Sequence, residues 1–260
     1  MFNLTPAVRA ILLANVAVFA AQSLVFPHLD NLLGLHNVAS PLFLPFQFVT
    51  HMFMHGGFGH LFSNMFALIM FGPGLENLWG TKRFTFFYFF TGIGAGLLYS
   101  GVNYYEFGQL KEAAMAFIQD PDPTNFAGFM NDYLPILDKE PIVQRYLANP
   151  DNMLLQRQAV ALTKEYLNLI VNIPMVGASG AIFGILMAFG MLFPNTLLFL
   201  LFIPFPIKAK YFVALYGFYE LYSGLHQNPG DNVAHFAHVG GMLFAFILIR
   251  YWARQHKNFY

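Results

Sequence analysis

No cysteine occurs anywhere in the 260 residues. Its absence excludes disulfide scaffolds, thiolate metal sites, cysteine nucleophiles and lipidated cysteines, and leaves the redox compartment unreadable. Charge is almost as scarce: 10% of residues are Asp, Glu, Lys or Arg, against roughly a quarter in an ordinary globular domain. Too few charges remain to wet a soluble surface. The formal net charge is zero, so there is no basic surplus for phosphates and a nucleic-acid partner is not expected. What the chain has instead is apolar residues, 57% of the total, with a mean hydropathy of +0.52. That is the composition of a protein dissolved in lipid.

The few charges are unevenly spread. Residues 104–170 hold 14 of the 26 charged side chains, 9 of them acidic, and the other 193 residues share the remaining 12. The pattern is a membrane chain interrupted by one polar insertion. A helix needs about 20 mainly apolar residues to cross a bilayer, because backbone polar groups cannot be left unpaired in hydrocarbon. Six stretches meet this requirement, at 7–26, 60–78, 84–103, 175–193, 210–225 and 235–251. A further apolar stretch, 197–207, is short and ends in Pro204 and Pro206, and is read as a membrane-hugging connection. The first stretch has features of a signal peptide, with one basic residue and small residues at Ala20 and Ala21, but it is long enough to span and no polar mature domain follows it.

Lysine and arginine set the expected orientation. Arg9, Lys82, Arg83, Lys208, Lys210, Arg250, Arg254 and Lys257 fall at the termini or in the even connections, whereas residues 27–59 and 226–234 contain none. By the positive-inside rule both termini are cytoplasmic and the insertion faces outward. With no presequence ahead of the first span, the expected location is a cell inner membrane. The loop 27–59 is apolar yet broken by Pro27, Pro41 and Pro45, and is expected to lie half embedded in the interface. The insertion reads as several short helices separated by Asp120-Pro-Asp-Pro123 and Asn149-Pro150-Asp151, with Asn149 as N-cap and Pro150 opening the last helix.

Polar and ionisable residues inside spans are costly and are functional candidates by default. They gather in three places: His55, His60 and Asn64; Ser179 within Gly177-Ala-Ser-Gly180; and His235 with His238. All three lie at the expected outer ends of their helices. His60 and Asn64, four residues apart, share a helix face and could aim two donors at one oxyanion. Small residues around Ser179 (Gly177, Gly180, Gly184) and beside His238 (Gly241, Ala245) allow close helix packing. The same smallness exposes a hydroxyl that a histidine could deprotonate. No acid is well placed to orient that histidine: Asp231 is seven residues earlier in a loop and Glu220 lies within the fifth span. A Ser-His dyad is therefore expected rather than a triad.

Four ordered motifs resemble the rhomboid family of intramembrane serine proteases. They are His60-x-x-x-Asn64, Glu76-x-x-x-Gly80-x-x-Arg83-Phe84, Gly177-x-Ser179-Gly180, and Ala237-His238-x-x-Gly241. The resemblance implies an all-α membrane protein, a six-transmembrane-helix bundle with a helical extramembrane insertion between the third and fourth helices. It implies one rhomboid domain made of residues 1–103, the insertion 104–170 and residues 171–260. Ser179 resembles the nucleophile and His238 the general base. His60, Asn64 and the Ser179 N–H resemble the oxyanion hole, and Phe183 falls where an aromatic ring stacks on the base. Gly177, Gly180, Gly241, Glu76 and Arg83 are supporting residues. His235 stands one turn before His238, but the spacing to Gly241 assigns the base to His238. The insertion is much longer than in minimal six-helix members.

The implied activity is hydrolysis of peptide bonds in or near transmembrane segments that contain helix-destabilising small residues. Its partners are those substrates and the bilayer, and no cofactor or metal is expected. A catalytically inactive rhomboid-like binding factor is the alternative, although such members usually lose the serine or histidine. A metal carrier could use His51, His55 and His60, but these lack nearby carboxylates. A zinc intramembrane protease would need H-E-x-x-H, which is absent.

Overall fold

In the computed structural model the residues described are 4–133, 141–199, 205–226, 231 and 233–255. Among them, four helices are long and apolar enough to cross a bilayer: α1 (Pro6–Leu24), α4 (Phe58–Trp79), α5 (Thr81–Gln119) and α11 (His235–Gln255). Between the first two of these, α2 (Leu29–Leu33), α3 (Gln47–Thr50) and a 3₁₀ turn (His51–Phe53) form a compact loop. Three helices, α6 (Pro123–Tyr133), α7 (Pro141–Ala148) and α8 (Met153–Val171), follow α5. Two shorter ones, α9 (Ser179–Leu192) and α10 (Ala209–Leu225), complete an all-α membrane protein. Strand β1 (Leu197–Leu198) pairs antiparallel with β2 (Ile207–Lys208). The connection expected at 197–207 therefore turns back on itself, and its residues 200–204, Pro204 included, lie outside the described residues. So does Lys257, used above for orientation.

Two expected spans differ in extent. The third does not stop at Asn103: α5 continues to Gln119, a helix of 39 residues and about 58 Å at 1.5 Å per residue. Nothing between residues 104 and 119 breaks a helix except one glycine, and termination waits for Pro121 and Pro123. The fourth span starts at Ser179 rather than 175. Met175 is instead held extended, exchanging backbone hydrogen bonds of 2.8 Å with Leu35 in both directions, and Gly177 at φ +129° interrupts any helix before Ser179.

The far end of α5 and helices α6, α7 and α8 share a hydrophobic core of their own. Leu110 and Phe117 on α5 pack with Phe126, Phe129 and Met130 of α6, Val143 and Tyr146 of α7, and Ala159 of α8. The Pro121 carbonyl accepts hydrogen bonds from Tyr146 Oη and Gln156 Nε2, both at 2.9 Å. The N-cap of α8 is Asn152, not Asn149: its side chain accepts from the N–H groups of Leu154 (3.0 Å) and Leu155 (3.3 Å). Pro150 and Asp151 are used up in a turn closed by Asn152 N–H on the Asn149 carbonyl. Proline with its fixed φ suits the second position of a turn as well as it suits a first helical turn.

Helix α9 sits at the centre, against α4, α5, α10 and α11. Its approach to α11 is closest where Gly241 meets the Gly180 backbone: a Cβ on Gly241 would overlap the Gly180 carbonyl. Gly180 in turn rests on Ala95 of α5, and Gly184 rests on Thr91. Below this contact the core fills with Leu68, Leu75, Phe84, Phe87, Tyr88 and Ile185, all fully buried. Helix association in lipid depends on such close backbone approach, since burial from water supplies little there.

Replacing Gly241 with Ala should therefore force α9 and α11 apart and cost about 3 kcal/mol, the upper part of the range for overpacked cores. Thermal unfolding in mild detergent measures this. Gly101→Ala, where an added Cβ meets nothing within 4 Å, should leave the midpoint unchanged or slightly raised.

Candidate active site

Ser179 is the first residue of α9, so its own N–H is among those with no carbonyl one turn back. The residues before it are fixed by the first loop. Gly177 N–H donates to the His51 carbonyl at 2.9 Å, and the Leu35–Met175 pairing holds the chain two residues earlier. Glycine is required at 177 twice over, by its positive φ and because a Cβ there would lie 2.7 Å from the His60 ring. That contact brings His60 of α4 against the Gly177-Ala-Ser179 segment. The loop itself is braced by Gln47, whose Oε1 accepts from His36 and Leu44 N–H and whose Nε2 donates to the Leu32 and Leu42 carbonyls.

His238 lies one turn into α11, buried beside the Gly180–Gly241 contact. Its Nε2 is 2.9 Å from Ser179 Oγ. Phe183, one turn after Ser179, lies face to face with the imidazole, ring centroids 4.1 Å apart and planes 11° apart. Asn64 is buried, and its Nδ2 has no hydrogen-bond partner among the described residues. An unpaired buried donor is costly, which suits it to an acceptor that arrives from outside the chain. His55 packs edge-on to His60 with centroids 5.1 Å apart. Its backbone is held from α1 by Gln22, whose Nε2 donates to the His55 carbonyl and whose Oε1 accepts the His55 N–H.

The expectation that no acid is placed to orient the histidine is overturned. Glu220, on α10, is buried, and its Oε2 lies 2.8 Å from His238 Nδ1. The same oxygen is 2.6 Å from His235 Nδ1, and His235 Nε2 faces Asp231 Oδ2 at 3.0 Å. His235 thus turns both ring nitrogens to carboxylates, and His238 alone of the two faces Ser179. The hydrogen bond with His235 holds the Asp231 carboxyl below the usual carboxylate range. A carboxylate inside an apolar helix was itself a signal. Spacing along the chain could not say that α10 turns it toward α11.

Glu220, His235 and His238 offer one ligand atom each within 4.8 Å of one another. Two ligands on one zinc ion at about 2.0–2.1 Å each would sit about 3.3 Å apart in a tetrahedron. Separations of 2.6 and 2.8 Å are instead those of shared protons. An apolar pocket of about 320 Å³ lined by Phe86, Phe90, Leu97 and Phe244 among others has no ionisable group and no chemistry to offer.

Glu76 and Arg83 stand apart from these groups. Glu76 is sixteen residues beyond His60 on α4, about 24 Å along the axis. Its buried carboxylate accepts from Ala7 N–H (2.8 Å), Val8 N–H (3.0 Å) and Thr81 Oγ1 (2.7 Å). It therefore caps the N-terminus of α1 from a neighbouring helix and ties it to the start of α5, whose first turn carries the exposed Arg83.

By architecture and site this is a helical membrane protein that sets a serine hydroxyl and an imidazole nitrogen at hydrogen-bonding distance. The family model described as Rhomboid domain matches residues 44–108 and 145–255. The chain belongs to the rhomboid family, whose members are generally intramembrane serine proteases. The match skips residues 109–144, which span the far end of α5, α6 and the start of α7. None of the curated proteins matches the chain.

Since Glu76 binds backbone and not the serine pair, Glu76→Gln should lower the thermal midpoint, by about 1 kcal/mol of stability per lost cap. The rate at which folded protein reacts at Ser179 should not change. A reactivity loss exceeding the folding loss would contradict this placement.

Proposed function

We propose that the chain is an intramembrane serine endopeptidase that hydrolyses peptide bonds in or near transmembrane segments of membrane-protein substrates. The observation that carries this reading is the 2.9 Å hydrogen bond between Ser179 Oγ and His238 Nε2 at the N-terminus of α9. His238 takes the Ser179 proton as Oγ attacks the scissile carbonyl carbon. The resulting oxyanion accepts from the Ser179 N–H, the unpartnered Asn64 Nδ2 and His60, with the N-terminal end of α9 adding its dipole. Collapse breaks the C–N bond, and His238 returns the proton to the leaving amine. Water deprotonated by the same histidine then attacks the acyl-enzyme, which releases the new carboxylate and restores the serine.

Substrates follow from the chemistry. A peptide bond inside a stable helix is shielded, so segments with Gly, Pro or other small residues that unwind readily are preferred. The bilayer is the second partner. The reading includes six crossings, at α1, α4, α5, α9, α10 and α11. Helix α9 has 14 residues, about 21 Å against a core of about 30 Å. A hydroxyl at its start therefore lies below the membrane surface on one side. The lysine and arginine distribution supports cytoplasmic termini with the site opening outward, and the reading places the chain in a cell inner membrane.

A fluorophosphonate probe should label the wild-type chain in detergent or proteoliposomes, and Ser179→Ala should not be labelled. Persistent labelling of Ser179→Ala would sink the assignment. His60→Ala and Asn64→Ala should each slow turnover on the order of 10²-fold, as other lost oxyanion donors do.

The cysteine-free chain also makes topology directly testable. A membrane-impermeant maleimide should label Asp151→Cys on intact cells and Lys82→Cys only after permeabilisation; the reverse pattern would invert the orientation.

A further inference from the structure

Glu220 is nearly inaccessible, at 2% exposure, and sits among apolar and aromatic residues of α10. A lone carboxylate in such a place would be expensive, and it persists only where it is paired and hydrogen-bonded. Here one oxygen, Oε2, serves two imidazoles, His238 Nδ1 at 2.8 Å and His235 Nδ1 at 2.6 Å.

The chemistry of the acceptor decides where the protons are. An ionised carboxylate only accepts, so each ring must donate from Nδ1. A neutral imidazole that carries its proton on Nδ1 has its lone pair on Nε2. In His238 that is the atom facing Ser179 Oγ. The carboxylate thus selects the one tautomer able to accept the serine proton, and it faces the positive charge that develops on the ring when it does. His235 has a different task. Its Nε2 meets a second carboxylate, Asp231 Oδ2, at 3.0 Å; with both carboxylates ionised, both ring nitrogens must donate, which makes this ring a cation. It provides the counter-charge that keeps Glu220 ionised within the apolar bundle.

We propose that Glu220 is a positioning residue for the base, fixing the His238 tautomer and ring orientation, and that His235, braced by Asp231, holds the Glu220 carboxylate against it. The chain Asp231–His235–Glu220–His238–Ser179 then runs from a loop carboxylate to the nucleophile and joins α10, α11 and α9. This extends the serine-protease reading and rests on it.

The kinetics of fluorophosphonate labelling test the proposal without a known substrate, because they separate the maximal inactivation rate from probe affinity. Glu220→Gln should lower the maximal rate by about 10²-fold or more, within the roughly 10⁴-fold measured when other orienting acids are replaced by amides. Probe affinity should change little. Glu220→Asp, shorter but still an anionic acceptor, should recover more rate than the isosteric Gln; a purely space-filling role reverses that order. His235→Ala should cost about tenfold, since it acts through Glu220. Histidine ring ¹⁵N resonances of the Ser179→Ala chain, assigned with His238→Gln, read the tautomer in protein with Glu220 intact. They should show His238 protonated on Nδ1 and bare on Nε2.

Wild-type rate in Glu220→Gln, or a His238 proton on Nε2, would overturn the proposal while leaving the protease reading standing. Failure of the wild-type chain to label at all would overturn both.

Discussion

The contact between Gly241 and the Gly180 carbonyl is the constraint on which the site depends. Two helices can come this close only where neither carries a side chain, and in lipid that closeness is itself a source of cohesion. Because Ser179 precedes Gly180 and His238 precedes Gly241 by less than one turn, the same contact sets the hydroxyl and the imidazole 2.9 Å apart. Ala95 and Thr91 on α5 also pack directly on the α9 glycines, so the spacing is enforced from two helices at once. Packing and chemistry are one geometric fact here.

Around that contact, the structure satisfies polar groups in an environment that makes neglect costly. Glu76 caps α1 at one end of the bundle, Gln47 gathers four backbone groups of the first loop, and Glu220 binds two imidazoles at the other end. Asn64 Nδ2 is one of several buried polar atoms left without a partner among the described residues, as are both ring nitrogens of His55.

Much of this was legible along the chain. The scarcity of charge and the apolar stretches located the helices, and the polar residues within them marked Ser179, His238, His60 and Asn64 as candidates. The misplaced details share a cause. The third span is expected to end at Asn103, where polar residues begin, yet polarity does not end a helix, and α5 runs on until proline stops it. Residues 175–178 are apolar and fit a helical pattern, but Leu35 and His51, more than a hundred positions earlier, bind the backbone of Met175 and Gly177 and keep the helix from starting there. Asn149 is the cap expected from the Asn-Pro pair, and a turn through Pro150 and Asp151 passes that role to Asn152.

By itself the sequence determined the solvent this protein occupies, the helical class that such a solvent demands, and the small set of side chains able to do chemistry, because those follow from local composition and from periodicity. Only the tertiary structure decided that Glu220, distant in sequence and on another helix, stands behind His238, and that His235 turns both ring nitrogens to carboxylates. Such choices depend on how helices rotate and cross when they pack, and no spacing within a single helix records that.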